Sequence, residues 1–466
     1  MLPRGVRSRL GRLAAALASA LAGGCDDQGI VSLPPVPEIV TSVVEANPNN
    51  VLSAIVSAEL RFADSVAVRY GLEGSERDGV TAAVRSPSES AVVPVLGLLP
   101  DQRYELQVVA FGTGGTVVGE IQSFTTGTLP ADLPVYTASG PDPSPGYVVF
   151  AAAKYGLVID NTGRVVWYHR FPDGPGLNFM PQPTGGYVVR PPTPDQTDRE
   201  LWIEIDPLGN VRRSLDCAGG LVSRLHDLIA EPDGAYWIMC DETRPIDLSA
   251  LGGVPSASVT GTVVQHVAGD GTLLFQWNPF DHFAITDLEA SERAGPTVNW
   301  THGNAIDLDA DGNLVVSFRN LGEVTKIDTR TGAVLWRMGG IGNQFTFEGT
   351  PVPAFFRQHG ARLGGAGQLV LLDNLGNPTG SRAERYVYDE ASRSARLLGS
   401  YGSTPSVTAL LGGSTQALPG GRTLVSFGTA GRVEEYDATG AMVWRIEGNP
   451  GYIFRAQRIR SLYRPE

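Results

Sequence analysis

At 466 residues the chain exceeds what one ordinary hydrophobic core holds, which predicts two or three domains. Its 57 glycines, 33 prolines and 18% charged residues suit many tight turns between short strands and exclude a mainly helical protein. A net charge of -13 leaves no general basic face for nucleic acid or an anionic membrane surface.

The N-terminus, MLPRGVRSRLGRLAAALASALAGGCDD, joins four arginines to the apolar stretch 13–21, and residues 1–24 are expected to be a secretory signal. The stretch is too short for a permanent transmembrane helix. Ala22-Gly23-Gly24-Cys25 resembles the lipobox of bacterial lipoproteins, in which the cysteine is lipidated, although Ala22 stands where Leu is commoner. The alternative is an ordinary cleaved signal with an incidental cysteine. Either reading makes the protein exported and periplasmic, with the membrane reached only through a lipid at Cys25. Residues 25–35 then form a linker that runs into a Pro-rich stretch, SLPPVPE.

Residues 36–127 contain alternating apolar runs such as SAIVSAELRF, SVAVRYGL and YELQVVAF, the pattern of half-buried strands. LLPDQRYELQVVAFGTGG followed by IQSFTTG resembles the later strands of a fibronectin type III domain, where a tyrosine follows a Leu-x-Pro corner. A small β-sandwich with an accessory role is expected, since no cluster of titratable residues occurs there.

From 134 to 466 a different module recurs. Five segments read as hairpins: NFMPQPTGGYVVRPP, HDLIAEPDGAYWIMCDE, NAIDLDADGNLVVSFRN, HGARLGGAGQLVLLDN and GSTQALPGGRTLVSFG. Others, such as DNTGRVVWYHR, GDGTLLFQW, DTRTGAVLWRMGG and DATGAMVWRIEG, supply a second hairpin to the unit. The first module lacks an inner strand, and the tail YIFRAQRIRSLY reads as an inner strand without a module. Joining the two gives an all-β six-bladed propeller with no exposed edge.

Turn glycines align the modules. His226 lies eight residues before Gly234, His359 eight before Gly367, and Asn304 eight before Gly312, with His302 two residues earlier. Because side chains repeat every two residues on a strand face, His302 and Asn304 are expected on one face, level with His226 and His359 at one mouth of the channel. Arg319 returns to the same rim on the following strand, and Asn374 and Asp241 hold roughly analogous positions. A lone strand histidine is usually structural, but here three of the chain's six converge beside a permanently charged fork. That set suits an anion. His169, His266 and His282 fall on outer strands or insertions and receive no role. Cys217 and Cys240 can pair in an oxidising compartment or stay as two buried thiols.

LHDLIAEPDG, NWTHGNAIDLDADGNLVVSFRNLGEVTKIDTRTGAVLWRMGG and RQHGARL resemble the bacterial arylsulfate sulfotransferase family, six-bladed propellers often preceded by a β-sandwich. The resemblance implies transfer of a sulfuryl group from a phenolic sulfate ester to a phenolic acceptor. It makes His359 the transiently sulfated nucleophile, with His226, His302, Asn304 and Arg319 as catalytic or sulfate-binding partners. It implies small aryl sulfates and phenols as partners, and no cofactor. The chain also has no phosphate-cradling Gly-rich loop with a lysine for a nucleotide sulfate. The best-known members are soluble with a short-loop disulfide, whereas this N-terminus resembles a lipoprotein's and Cys217 and Cys240 are differently placed. Two other functions compete: a three-histidine zinc hydrolase and an exported propeller that only binds ligands. Arg319 weighs against the first, because it sets a cation beside a cation.

Overall fold

The computed structural model describes residues 33–171, 176–190, 201–349, 354–447 and 451–463. The expected signal and Cys25 lie outside the described residues. Among those described, no helix is long and apolar enough to cross a membrane.

The first strands form two sheets over one core. Strand Ser53–Arg61 buries Ala54, Val56, Ala58 and Leu60, its even positions, between Glu38–Ala46 and Ser90–Leu96. The second sheet turns Val66, Val68, Leu106, Val108 and Ala110 into the same core. Strict alternation sets this register, because a one-residue slip would expose every apolar side chain of a strand. The Tyr104 hydroxyl accepts the Leu99 amide at 2.8 Å and fixes the corner before Pro100.

Beyond residue 140 the chain builds six further sheets among the described residues, each antiparallel at its centre. Their innermost strands are Ala456–Ile459, Phe179–Pro181, Val222–Ala230, Gly303–Leu308, His359–Gly365 and Ser414–Ala417. Side-chain bonds join neighbours. Asn178 Nδ2 donates to the Leu225 carbonyl, Asn304 Nδ2 to that of Gln358, Thr415 Oγ1 to that of Gly360, and Gln416 Nε2 to that of Arg458. Arg455 reaches Met180 Sδ and closes the circle.

Two features of chain closure stand out. The C-terminal strand pairs with Tyr147–Ala152, with Ala456 opposite Phe150 and Ile459 opposite Tyr147, and so supplies the inner strand that the first module lacks. Thr137–Ser139 also adds to the outside of the last sheet beside Met442–Glu447, a strand its short sequence does not announce. Both ends of this region are thus held in sheets.

The stretch 241–260 is largely a lengthening of strands Tyr236–Ile246 and Ala257–Val267, which stay paired out to Ile246 and Ala257. The stretch 279–298 carries three short 3-10 turns and strand Thr297–Asn299, which runs parallel to Ala257–Val267 and leads to His302. Cys217 and Cys240 are disulfide-bonded, joining the entry of the His226 strand to its hairpin partner.

Candidate active site

His226, His302 and His359 meet where the inner strands begin. The rings of His226 and His302 lie 4.8 Å apart edge-to-face, those of His226 and His359 6.5 Å apart, and Phe454 closes on His226 at 5.7 Å. His359 opens its strand, and His226 lies within Val222–Ala230. His302 does not follow the expected strand geometry. It precedes Gly303–Leu308 with φ 49°, in the left-handed region that side chains adopt only when neighbours compel it. The register also shifts between Gly303 and Ala305, so two-residue alternation does not relate His302 to Asn304. The Arg319 amide, donating to the His302 carbonyl at 3.0 Å, holds the turn.

The partners assign the tautomers. His359 Nδ1 lies 2.9 Å from Asn374 Oδ1, an acceptor, so Nδ1 carries the proton and Nε2 a lone pair. Asn374 cannot flip without loss, because its Nδ2 donates to the Ala409 and Gly412 carbonyls at 2.8 and 3.0 Å. His302 is the reverse: Asn299 Nδ2 lies 2.7 Å from its Nδ1, and in this amide orientation the ring proton sits on Nε2. One imidazole thus presents a lone pair and its neighbour an N–H. The Gly412 amide points at His359 Nε2 from 3.3 Å. Only glycine fits there, with φ +66° and a Cβ that would meet Tyr452 Oη at 2.6 Å.

Arg319 follows strand Leu314–Phe318 and holds the site's uncompensated charge. It donates to Asn320 Oδ1 at 3.0 Å and to the Leu410 carbonyl at 3.3 Å, and its buried Nε has no partner. The other two guanidiniums near the imidazoles are paired, Arg224 with Asp241 and Arg455 with Asp227, each at 2.8 Å. Asn304 donates to Gln358 and leaves its buried Oδ1 open, as is His226 Nδ1. Among the described residues, no group of three or more His, Cys, Asp or Glu is arranged to hold a metal ion. Around this polar floor Leu410, Leu411 and Tyr452 leave apolar surface exposed.

Residues 220–449 match the family model described as arylsulfotransferase (ASST). This segment of the chain belongs to the arylsulfotransferase family. The matched segment contains His226, His302, Asn304, Arg319, His359 and Asn374, and the match supports aryl sulfotransferase activity in general. No curated protein matches the chain. Similar solved structures include a Bacteroides caccae protein of unknown function, with 14% identity, TM-score 0.45, and coverage of 68% of this chain and all of that one. Another is an inactive virginiamycin B lyase from Staphylococcus aureus, with 11% identity, TM-score 0.37, and coverage of 66% and 87%.

Burial governs the protonation of these imidazoles. It drives His359 down to about 4, helped by Arg319 and Arg455 and opposed by the Asn374 bond, which stabilises the protonated ring. Burial takes His302 to about 2, with Arg224, Arg319 and His359 adding to the effect. His226 falls well below the ordinary value from burial and from His302, Arg224, His359 and Arg455. All three rings are therefore neutral near pH 7. Asp241 is pushed up to about 6 by burial, against the pull of Arg224 and Arg190.

The three remaining histidines lie elsewhere. His266 stacks on Trp237 and meets Glu231 at 2.8 Å, His282 stacks on Trp277, and His169 stacks on Trp167. Sequence reasoning passed over Arg224, Asn299 and Arg455. Arg224 stands two residues before His226, but the register shifts between Ser223 and Leu228, so two-residue alternation does not relate them. Asn299 and Arg455 reach the site through a turn and through chain closure, which no local pattern marks.

Proposed function

We propose that the protein moves a sulfuryl group from a phenolic sulfate ester to a phenolic acceptor through a sulfohistidine at His359, with no nucleotide donor. The observation that carries this reading is the lone pair on His359 Nε2 beside Arg319, a guanidinium with no carboxylate among its partners. In the first step Nε2 attacks sulfur, the N–S bond forms, and the S–O bond breaks with its electron pair leaving on the aryloxide. Arg319 and the His302 Nε2–H hold the sulfuryl oxygens, and the Gly412 amide, which donates to His359 Nε2, releases it as the N–S bond forms. Neutral near pH 7, His302 lacks the imidazolium proton that an acid would give up, so it donates a hydrogen bond and the aryloxide leaves as an anion.

In the second step the acceptor oxygen attacks sulfur, and the N–S electron pair returns to His359. The phenolic proton passes to His226, whose Nδ1 is unpartnered. The bound sulfuryl anion offsets the cations that add to burial in depressing His226 and so raises its basicity. Leu410, Leu411 and Tyr452 supply apolar contact for the aryl ring.

The same reading takes the six sheets as a six-bladed propeller (134–466), the leading pair (36–127) as a fibronectin type III-like domain, and residues 1–24 with Cys25 as an export signal and lipid anchor to the periplasmic side. A chromogenic aryl sulfate, supplied with and without phenol, tests the activity. Release that requires the acceptor is expected. Acceptor-independent release would make the protein a sulfatase, and no release with a folded protein would make it a binding protein.

A further inference from the structure

Asp227 follows His226 on its strand and is only 1% exposed. Its Oδ1 accepts Arg455 Nη1 at 2.8 Å, and its Oδ2 accepts Arg362 Nη2 at 2.8 Å and the Ile306 amide at 2.9 Å. Those donors come from three other inner segments: Arg455 from the residue before the C-terminal strand, Arg362 from the strand that His359 opens, and Ile306 from the strand that follows His302. Arg455 also donates Nη2 to the His226 carbonyl at 3.1 Å. One carboxylate thus touches the segments carrying all three histidines, and its partner grips the backbone of one of them. Neither side chain has a place in the chemistry above. Desolvating two such charges is costly unless the geometry is well matched, and removing one partner strands the other.

We infer that Asp227 and Arg455 are a positioning pair that joins the chain's closing strand to the His226 strand and sets the charge that His226 and His359 meet. Its bearing on turnover rests on the function proposed above; its bearing on the imidazoles does not. His226 meets His302, His359, Arg224 and Arg455. His359 meets Arg319 and Arg455, and His302 meets Arg224, Arg319 and His359. Opposing these cations are Asp227 on Arg455 and Arg362, and Asp241 on Arg224, with Asp307 beside Arg362.

Removing either member of the pair changes that charge with opposite sign. Asp227→Asn keeps the shape and leaves two guanidiniums without their carboxylate, which disfavours imidazolium. Arg455→Gln removes a cation and favours it. A purely mechanical brace behaves otherwise, because loosening admits water and moves the rings toward their ordinary 6.5 in both variants.

The test is pH-dependent exchange of the imidazole C2 hydrogens in the full chain, read by mass spectrometry and requiring no turnover. Relative to wild type, the His226 and His359 midpoints are expected to fall in Asp227→Asn and rise in Arg455→Gln, each by about one pH unit. Midpoints that rise in both variants, or move in neither, overturn the inference. If Arg455→Gln fails to fold by circular dichroism, Asp227→Asn alone decides: a fall supports the pair, and a rise or no change refutes it. Loss of aryl sulfate turnover in wild type would sink the proposed function and leave this measurement intact.

Discussion

His359 Nδ1 faces the Asn374 amide oxygen at 2.9 Å, and the same amide's nitrogen is held by two carbonyls of the loop that carries Gly412. Loop, asparagine and imidazole therefore set one tautomer together. Replacing Asn374 with Ala removes the acceptor and lets the ring rotate or change tautomer. The expected result is a fall in kcat of at least roughly 100-fold with the fold retained, the direction seen when an orienting partner is lost from other catalytic histidines. Single-turnover sulfation measured beside a melting curve checks it. Wild-type kcat in a folded Asn374→Ala protein would mean that the bond does not matter.

In the proposed function Arg319 is the charge left for the substrate. Arg319→Gln should slow sulfation by roughly 10²- to 10³-fold, the scale for one well-placed oxyanion donor. Arg319→Lys should recover little of it, because a point charge cannot reproduce a planar fork that already uses Asn320 and Leu410 as anchors. Sulfation rates of the two variants with one donor decide the matter.

The depressed imidazoles also predict how stability depends on pH. An unfolded histidine takes up a proton as pH falls through 6.5, whereas folded His359 resists until about 4. The unfolded state then binds more protons, so stability present above pH 6.5 is lost as pH falls toward 4, by roughly 3 kcal/mol for this residue alone. Asp241 and Glu384, which burial pushes up to about 6 and about 7, act in the opposite direction. Comparison with a variant therefore isolates the imidazole: His359→Asn should lose less stability than wild type between pH 7.5 and 5 in denaturant titrations. Equal losses would show that His359 is not depressed.

Much of this was readable in the sequence for definite reasons. Turn glycines at regular distances from His226, Asn304 and His359 mark equivalent points of repeated hairpins, and Arg319 follows from the return strand. The tail's role as the first module's inner strand followed from counting strands. His302 was legible as a participant but not in its geometry, because a left-handed residue and a bulge break the two-residue rule where the site begins. Arg455 and Asn299 were not legible, since their positions depend on ring closure and on the turn after a 3-10-rich segment. Asn374 could be placed at the rim by register, yet its role depends on amide orientation, which only the loop carbonyls reveal.

Locating the covalent intermediate tests the central claim most directly. The protein is incubated with an aryl sulfate and no acceptor, quenched, digested under mild alkaline conditions, and sequenced by mass spectrometry. One added SO3 group is expected on His359, lost on addition of phenol and absent from His359→Asn. An SO3 group on another residue, or acceptor-dependent turnover that survives in His359→Asn, would contradict the account.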